Sequence, residues 1–225
     1  MTGKGRRATK SIPIIAYEKT DLPELINKLK NIIEKTEWGY TSEYKDVLIM
    51  RDKAIVAFLF LTGLRVSEAV GDPRVRPDSG IKLSQIIERP KHFMLYNVET
   101  VKRGDDREIK IPIDGMLGEL TVYFTDWYRY LVQTGKGYFL FPSASGFGIN
   151  YKKQIPKQRV HGIMQTTTNY FPHWCRAVYE NIYGHVVFDN DAYKLSKCMG
   201  LKRLDSTEPY IQSDWKRDLD KLYFL

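Results

Sequence analysis

The eight residues from Ala54 to Leu61, AIVAFLFL, carry no polar side chain. They close a segment, Tyr44 to Leu61, that reads as a strongly apolar helix stopped at Thr62-Gly63. A helix apolar on all sides is one that its neighbours cover. Eight residues cannot cross a bilayer, which takes about 20. The chain must therefore supply enough elements to bury this helix. Its 225 residues suffice to build a sizeable core without a metal or disulfide staple.

Most of the remaining pattern is helical. Asp21 before Leu22-Pro23-Glu24 combines an acidic cap, a proline in the first turn and a nearby glutamate, which predicts a helix running to about Lys35. Residues Arg65 to Val70 form a further short turn of helix, and Asp72 to Ser79, with two prolines, a loop. The period then changes. Phe93 to Val101 and Glu108 to Ile113 predict two strands, the second alternating Ile109, Ile111 and Ile113 against Glu, Lys and Pro. Lys102-Arg103-Gly104-Asp105-Asp106-Arg107 forms the hairpin tip between them. Leu117 to Gln133 is an amphipathic helix and Ser143 to Tyr151 a Gly/Ser loop. From Lys157 onward the chain reads as helical, broken at Pro172, Gly184, Gly200 and Pro209. The expected class is α+β: one mainly helical domain over residues 21–225 with a small antiparallel sheet, preceded at 1–20 by a basic arm or interdomain linker.

Charge narrows the function. The 35 Lys and Arg exceed the 27 Asp and Glu, a net charge of +8. From Trp127 to Tyr179 there is no acid in 53 residues, where the chain average would place about six. That tract carries Lys152, Lys153, Lys157, Arg159 and Arg176, and the first 17 residues add Lys4, Arg6, Arg7 and Lys10 before any acid. An uncancelled positive tract suits a surface that follows phosphates. The competing reading is a solvated basic face whose carboxylate partners come from elsewhere in the fold. Two cysteines without CxxC spacing suit a reduced compartment, and the polar N-terminus shows no signal peptide. The expected location is cytoplasmic: nucleoid-associated, or the host cytoplasm for a viral protein.

Four features line up along the chain. Thr62-Gly63-Leu64-Arg65-Val66-Ser67-Glu68-Ala69 places an arginine just after a glycine break. Lys102 stands at the hairpin tip. His173 and Arg176 are three residues apart, hence on one helix face. Cys198-Met199-Gly200 is followed ten residues after the glycine by Tyr210. Two arginine forks can hold the charge that develops on a phosphoryl group without a metal. A tyrosine is a nucleophile suited to a reversible cut, because it stores the phosphate bond. No carboxylate cluster and no P-loop are visible, so neither Mg²⁺ nor ATP is implied and no cofactor is expected.

This order and spacing resembles the tyrosine recombinase (phage-type integrase) family over roughly Leu22 to Leu225. The resemblance carries a GLRxSE arginine onto Arg65, a hairpin lysine onto Lys102, an HxxR pair onto His173 and Arg176, and a terminal-proximal tyrosine onto Tyr210. It implies DNA cleavage through a 3′-phosphotyrosine link. Lys102 then protonates the leaving 5′ oxygen, and His173 orients the phosphate or takes the tyrosine proton. It also implies double-stranded DNA with attachment-type sites as partner, a homotetramer on DNA, and integration or excision of a virus or mobile element. Around the site, Arg6, Arg7, Arg103, Lys152, Lys153, Lys157, Arg159 and Lys202 are the expected DNA contacts.

The chain departs from the family pattern where Leu201 replaces a His or Trp, with Lys202 or Arg203 as candidate substitutes. At the hairpin, Arg103 competes with Lys102, but only lysine releases its proton at accessible pH. The N-terminal helical domain usual in the family is expected to be absent. The tail from Ile211, with Trp215, Leu219 and Leu222 to Leu225, docks on a neighbouring subunit or on its own core. The alternatives are a type IB topoisomerase-like enzyme, a catalytically impaired DNA-binding relative and, more distantly, a nuclease or structural nucleic-acid binder.

Overall fold

In the computed structural model, residues 22–74, 76, 78–99, 106–145, 148–188 and 191–199 are described. The buried helix is α2, Lys45–Thr62, and every residue from Ala54 to Thr62 is buried. Helix α1, Leu22–Lys35, buries Leu22, Leu25, Ile26, Leu29 and Ile33, the 3.6-period stripe of an amphipathic helix. On another side lies α4, Gly115–Thr134, whose Phe124 stacks on Phe58 of α2 at 5.4 Å between ring centroids. Trp127 of α4 is fully buried and donates its indole N–H to the Leu140 carbonyl at 2.7 Å. Helices α5, Lys157–Thr168, and α6, Pro172–Ile182, complete the cover.

Strands β1, Ile86–Glu88, β2, His92–Glu99, and β3, Asp106–Pro112, form an antiparallel sheet in the order β1-β2-β3. Phe93 pairs with Ile111 and Leu95 with Ile109, all four inside. The register shifts between Leu95 and Val98, around Asn97 at φ 52°, and resumes with Val98 opposite Arg107. Asp106 and Arg107, expected in the hairpin tip, are thus paired strand, while Ile113 falls just past the end of β3.

A second sheet corrects the expected loop at Ser143 to Tyr151. Strands β4, Pro142–Ser145, and β5, Gly148–Gln154, form a two-stranded antiparallel ribbon. Its composition has little strand propensity, and tertiary bonds hold it instead. Buried Arg51 donates to the Pro142 carbonyl at 2.9 Å, and the Tyr130 and Tyr151 hydroxyls meet at 2.9 Å. Gly184 does not break the chain either: it lies in a wide helical turn, Tyr183–Val187, continuing α6. The last described helix is α7, Ala192–Cys198, capped by the Asp191 carboxylate on the Lys194 N–H. No helix among the described residues is long and apolar enough to cross a membrane.

One glycine fixes the relation between α2 and α6. Gly63 ends α2 in the left-handed conformation, φ 59°, and returns its N–H to the Leu59 carbonyl at 3.0 Å. A Cβ there would stand 2.5 Å from Cδ1 of the buried Tyr179 on α6. Only glycine meets both demands.

Candidate active site

The turn at Gly63 leads directly into Arg65, which caps the single turn α3, Val66–Ala69, in extended conformation. Glu68 in that turn is fully buried and accepts the Arg65 N–H at 2.9 Å. Its other oxygen takes Nη1 of the Arg65 guanidinium, also at 2.9 Å. The Arg65 side chain remains 34% exposed, so this ion pair fixes one edge of the fork and leaves part of the side chain open to solvent.

Arg176 approaches from α6. Proline at the first helical position starts that helix, and the residues that follow turn His173 and Arg176 toward Arg65. Arg176 is 2% exposed. Its Nε donates to Glu180 at 2.9 Å, its Nη1 to the Gly63 carbonyl at 2.9 Å, and its Nη2 reaches the Met199 carbonyl at 3.4 Å. Glu68 lies 3.9 Å from Arg176 Nη1. Burial works against the Arg176 charge and lowers its pKa, while Glu180 and Glu68 favour it. His173 is exposed in the first turn of α6, and its pKa is held below the usual histidine value by partial desolvation first, then by the positive charges of Arg176 and Arg65. The neutral form is therefore favoured at pH 7, and a neutral imidazole can accept a proton at one ring nitrogen.

A third arginine, which the sequence analysis placed in the hairpin tip without a role in the site, completes the cluster. Arg107 on β3 is 8% exposed; its Nη2 donates to Glu68 and its Nη1 to the Cys198 carbonyl, both at 3.0 Å. Three guanidinium groups thus face two carboxylates, Glu68 and Glu180, leaving one positive charge in excess among the described residues. An arrangement of this kind binds an anion and stabilises negative charge that develops on it. The signal was in the strand: the inward alternation of Ile111 and Ile109 reaches Arg107 on its next step.

No protein-family model matches the chain, and no curated protein matches it. Solved structures do. The chain is similar to the XerH site-specific recombinase bound to its difH substrate before cleavage, with a TM-score of 0.57 and 14% identity over 83% of this chain and 48% of that one. The complex of the same recombinase with palindromic difH after cleavage gives a TM-score of 0.57 and 14% identity over 88% and 51%. The fold is that of a tyrosine recombinase catalytic domain. The chain spans about half the length of the solved recombinase chains it matches.

Within this fold, Arg65 and Arg176 both meet Glu68, and His173 lies within electrostatic reach of both arginines. The carbonyls of Cys198 and Met199 also reach the cluster, so the fourth sequence feature begins at the site. Lys102, Arg103, Leu201, Lys202, Tyr210, Arg6, Arg7 and the tail from Ile211 lie outside the described residues.

The acid-free tract draws its carboxylates from elsewhere. Lys157 pairs with Asp72, whose pKa is lowered to about 2, first by Lys157 and then by Arg74. Arg159 donates to the Tyr40 hydroxyl at 2.5 Å and lies 3.9 Å from Asp52, and Arg129 meets Glu88 at 2.6 Å. Lys152 and Lys153 stand exposed on β5 with no ion pair among the described residues. Cys175 is a buried small apolar residue whose thiol pKa is pushed up to about 12 by burial. Trp174 packs against the core and stacks on Tyr170 at 4.7 Å.

Proposed function

We propose that the chain is the catalytic domain of a site-specific DNA recombinase acting through a covalent phosphotyrosine intermediate. The observation that supports this most directly is the cluster of Arg65, Arg107 and Arg176 around buried Glu68, with one charge in excess among the described residues and His173 alongside. A phosphodiester carries one negative charge and gains more at its nonbridging oxygens as it reacts, which such a cluster favours. In this reading the Tyr210 hydroxyl oxygen attacks the scissile phosphorus, and the bond from phosphorus to the 5′ oxygen breaks. The tyrosine proton passes to His173 and Lys102 gives a proton to the 5′ oxygen. A 5′-hydroxyl from a partner duplex reverses the sequence and releases Tyr210. The partner is double-stranded DNA, in a homotetramer that joins two attachment-type sites, in the service of a virus or mobile element within a cell's cytoplasm.

A suicide substrate nicked beside the scissile phosphate tests the reading. The short fragment that carries the freed 5′-hydroxyl diffuses away, so a covalent protein–DNA adduct accumulates, and Tyr210→Phe abolishes it. No adduct from the unmodified chain at any DNA concentration would reject the enzyme and leave a DNA-binding relative. Relaxation of a plasmid without any preferred site favours a topoisomerase instead.

A further inference from the structure

Arg107 joins three parts of the site that are distant in sequence. It lies on β3, the strand that follows the segment containing Lys102 in sequence. One fork nitrogen holds Glu68, 39 residues earlier, and the other holds the Cys198 carbonyl, 91 residues later. Its Nε is buried without a partner among the described residues, so its described bonds are these two. Glu68 is fully buried, and a buried carboxylate takes whatever cation is within reach. Without Arg107, Glu68 would have only Arg65 and Arg176 to satisfy it, and would draw on the charge those two direct at an anion. The Cys198 carbonyl, at the end of α7, would lose its described donor at the same time.

We infer that Arg107 is a positioning residue with two separable tasks. It neutralises Glu68, so that Arg65 and Arg176 keep their charge for the phosphate, and it anchors the C-terminal end of α7 beside them. This rests on the recombinase reading for its first task and on the described contacts alone for its second. The two tasks respond differently to a second substitution. In Arg107→Gln the orphaned Glu68 competes for the arginines. Adding Glu68→Gln removes that competition but returns no donor to Cys198.

Adduct formation on the nicked substrate, at saturating DNA, is measured beside hydrogen exchange of the α7 amides. Arg107→Gln should slow the adduct by about 100-fold while DNA affinity holds. In the same variant the α7 amides should exchange at least about tenfold faster, with those of α2 unchanged. The double variant Arg107→Gln/Glu68→Gln should recover about tenfold of the adduct rate and none of the α7 protection. A merely structural arginine would give no such recovery. An adduct rate equal to that of the unmodified chain, no recovery in the double variant, or unchanged α7 exchange would overturn the inference. If the unmodified chain forms no adduct, the recombinase reading falls by itself, and the exchange rates still decide whether Arg107 anchors α7.

Discussion

Among the described residues, two arginine clusters are built on buried carboxylates, and only one has the makings of a site. In the first, Arg51 and Asp52 on α2 are both almost fully inaccessible and pair one to one, Nη2 to Oδ1 at 2.8 Å. The Tyr40 hydroxyl also donates to Asp52, and the further cation, Arg159, is 51% exposed and solvated. In the second, Glu68 is shared among Arg65, Arg107 and Arg176, and a neutral histidine stands alongside. One carboxylate per buried arginine closes a structure. Three arginines on two carboxylates leave charge for a ligand.

Substitutions at the two clusters should therefore part company. Arg176→Gln should cost about 10²–10³ in adduct rate on the nicked substrate, because it removes the guanidinium that meets Glu180 and Glu68. Asp52→Asn should destabilise the fold by about 3–5 kcal/mol, because it leaves Arg51 buried and unpaired. In denaturant melts Asp52→Asn would show its loss, while the folded fraction cleaves at the normal rate. A cleavage defect in folded Asp52→Asn would erase the distinction.

His173 sharpens it through pH. Its folded pKa lies below the unfolded value of 6.5, so the unfolded chain binds the extra proton first. Its contribution to stability is present above 6.5 and is lost as pH falls from there through the lowered folded value. Adduct rate should fall over the lowered range too, as the proton acceptor is filled and a further positive charge joins Arg65 and Arg176. His173→Gln should flatten the stability profile in that window; an unchanged profile would count against the assigned environment.

The smallest effect concerns the basic tract. Asp72→Asn releases Lys157, and if the freed ammonium meets a phosphate, the slope of log affinity against log salt should steepen by about 0.9. The affinity of Lys152→Ala measured across the same salt series shows whether an unpaired lysine on β5 already makes such a contact.

The sequence made some of this plain and hid the rest for identifiable reasons. Helix α1 and strands β2 and β3 follow from periodicity, since each buries a face set by its own residues, and α2 follows from an apolar run that its neighbours cover. Strands β4 and β5 are held by Arg51 and Tyr130 from distant helices, and no local pattern announces such support. Arg65, His173 and Arg176 were readable because motif spacing records them. Arg107 was not, because its partners are 39 and 91 residues away and a basic residue near a hairpin usually faces water. The acid-free tract suggested a phosphate-following surface more broadly than the contacts support, since Asp72, Asp52 and Glu88 fold back onto several of its cations.

Gly63 has a consequence for how finely this site is set. Its carbonyl receives Arg176, and the Tyr179 ring presses where its side chain would begin. The end of the most buried helix and the helix bearing the HxxR pair therefore meet with no slack between them. Adding one methyl group at this position, only two residues before Arg65, would push α6 outward and carry Arg176 with it. The tolerance of the arginine cluster is fixed by the absence of a single carbon.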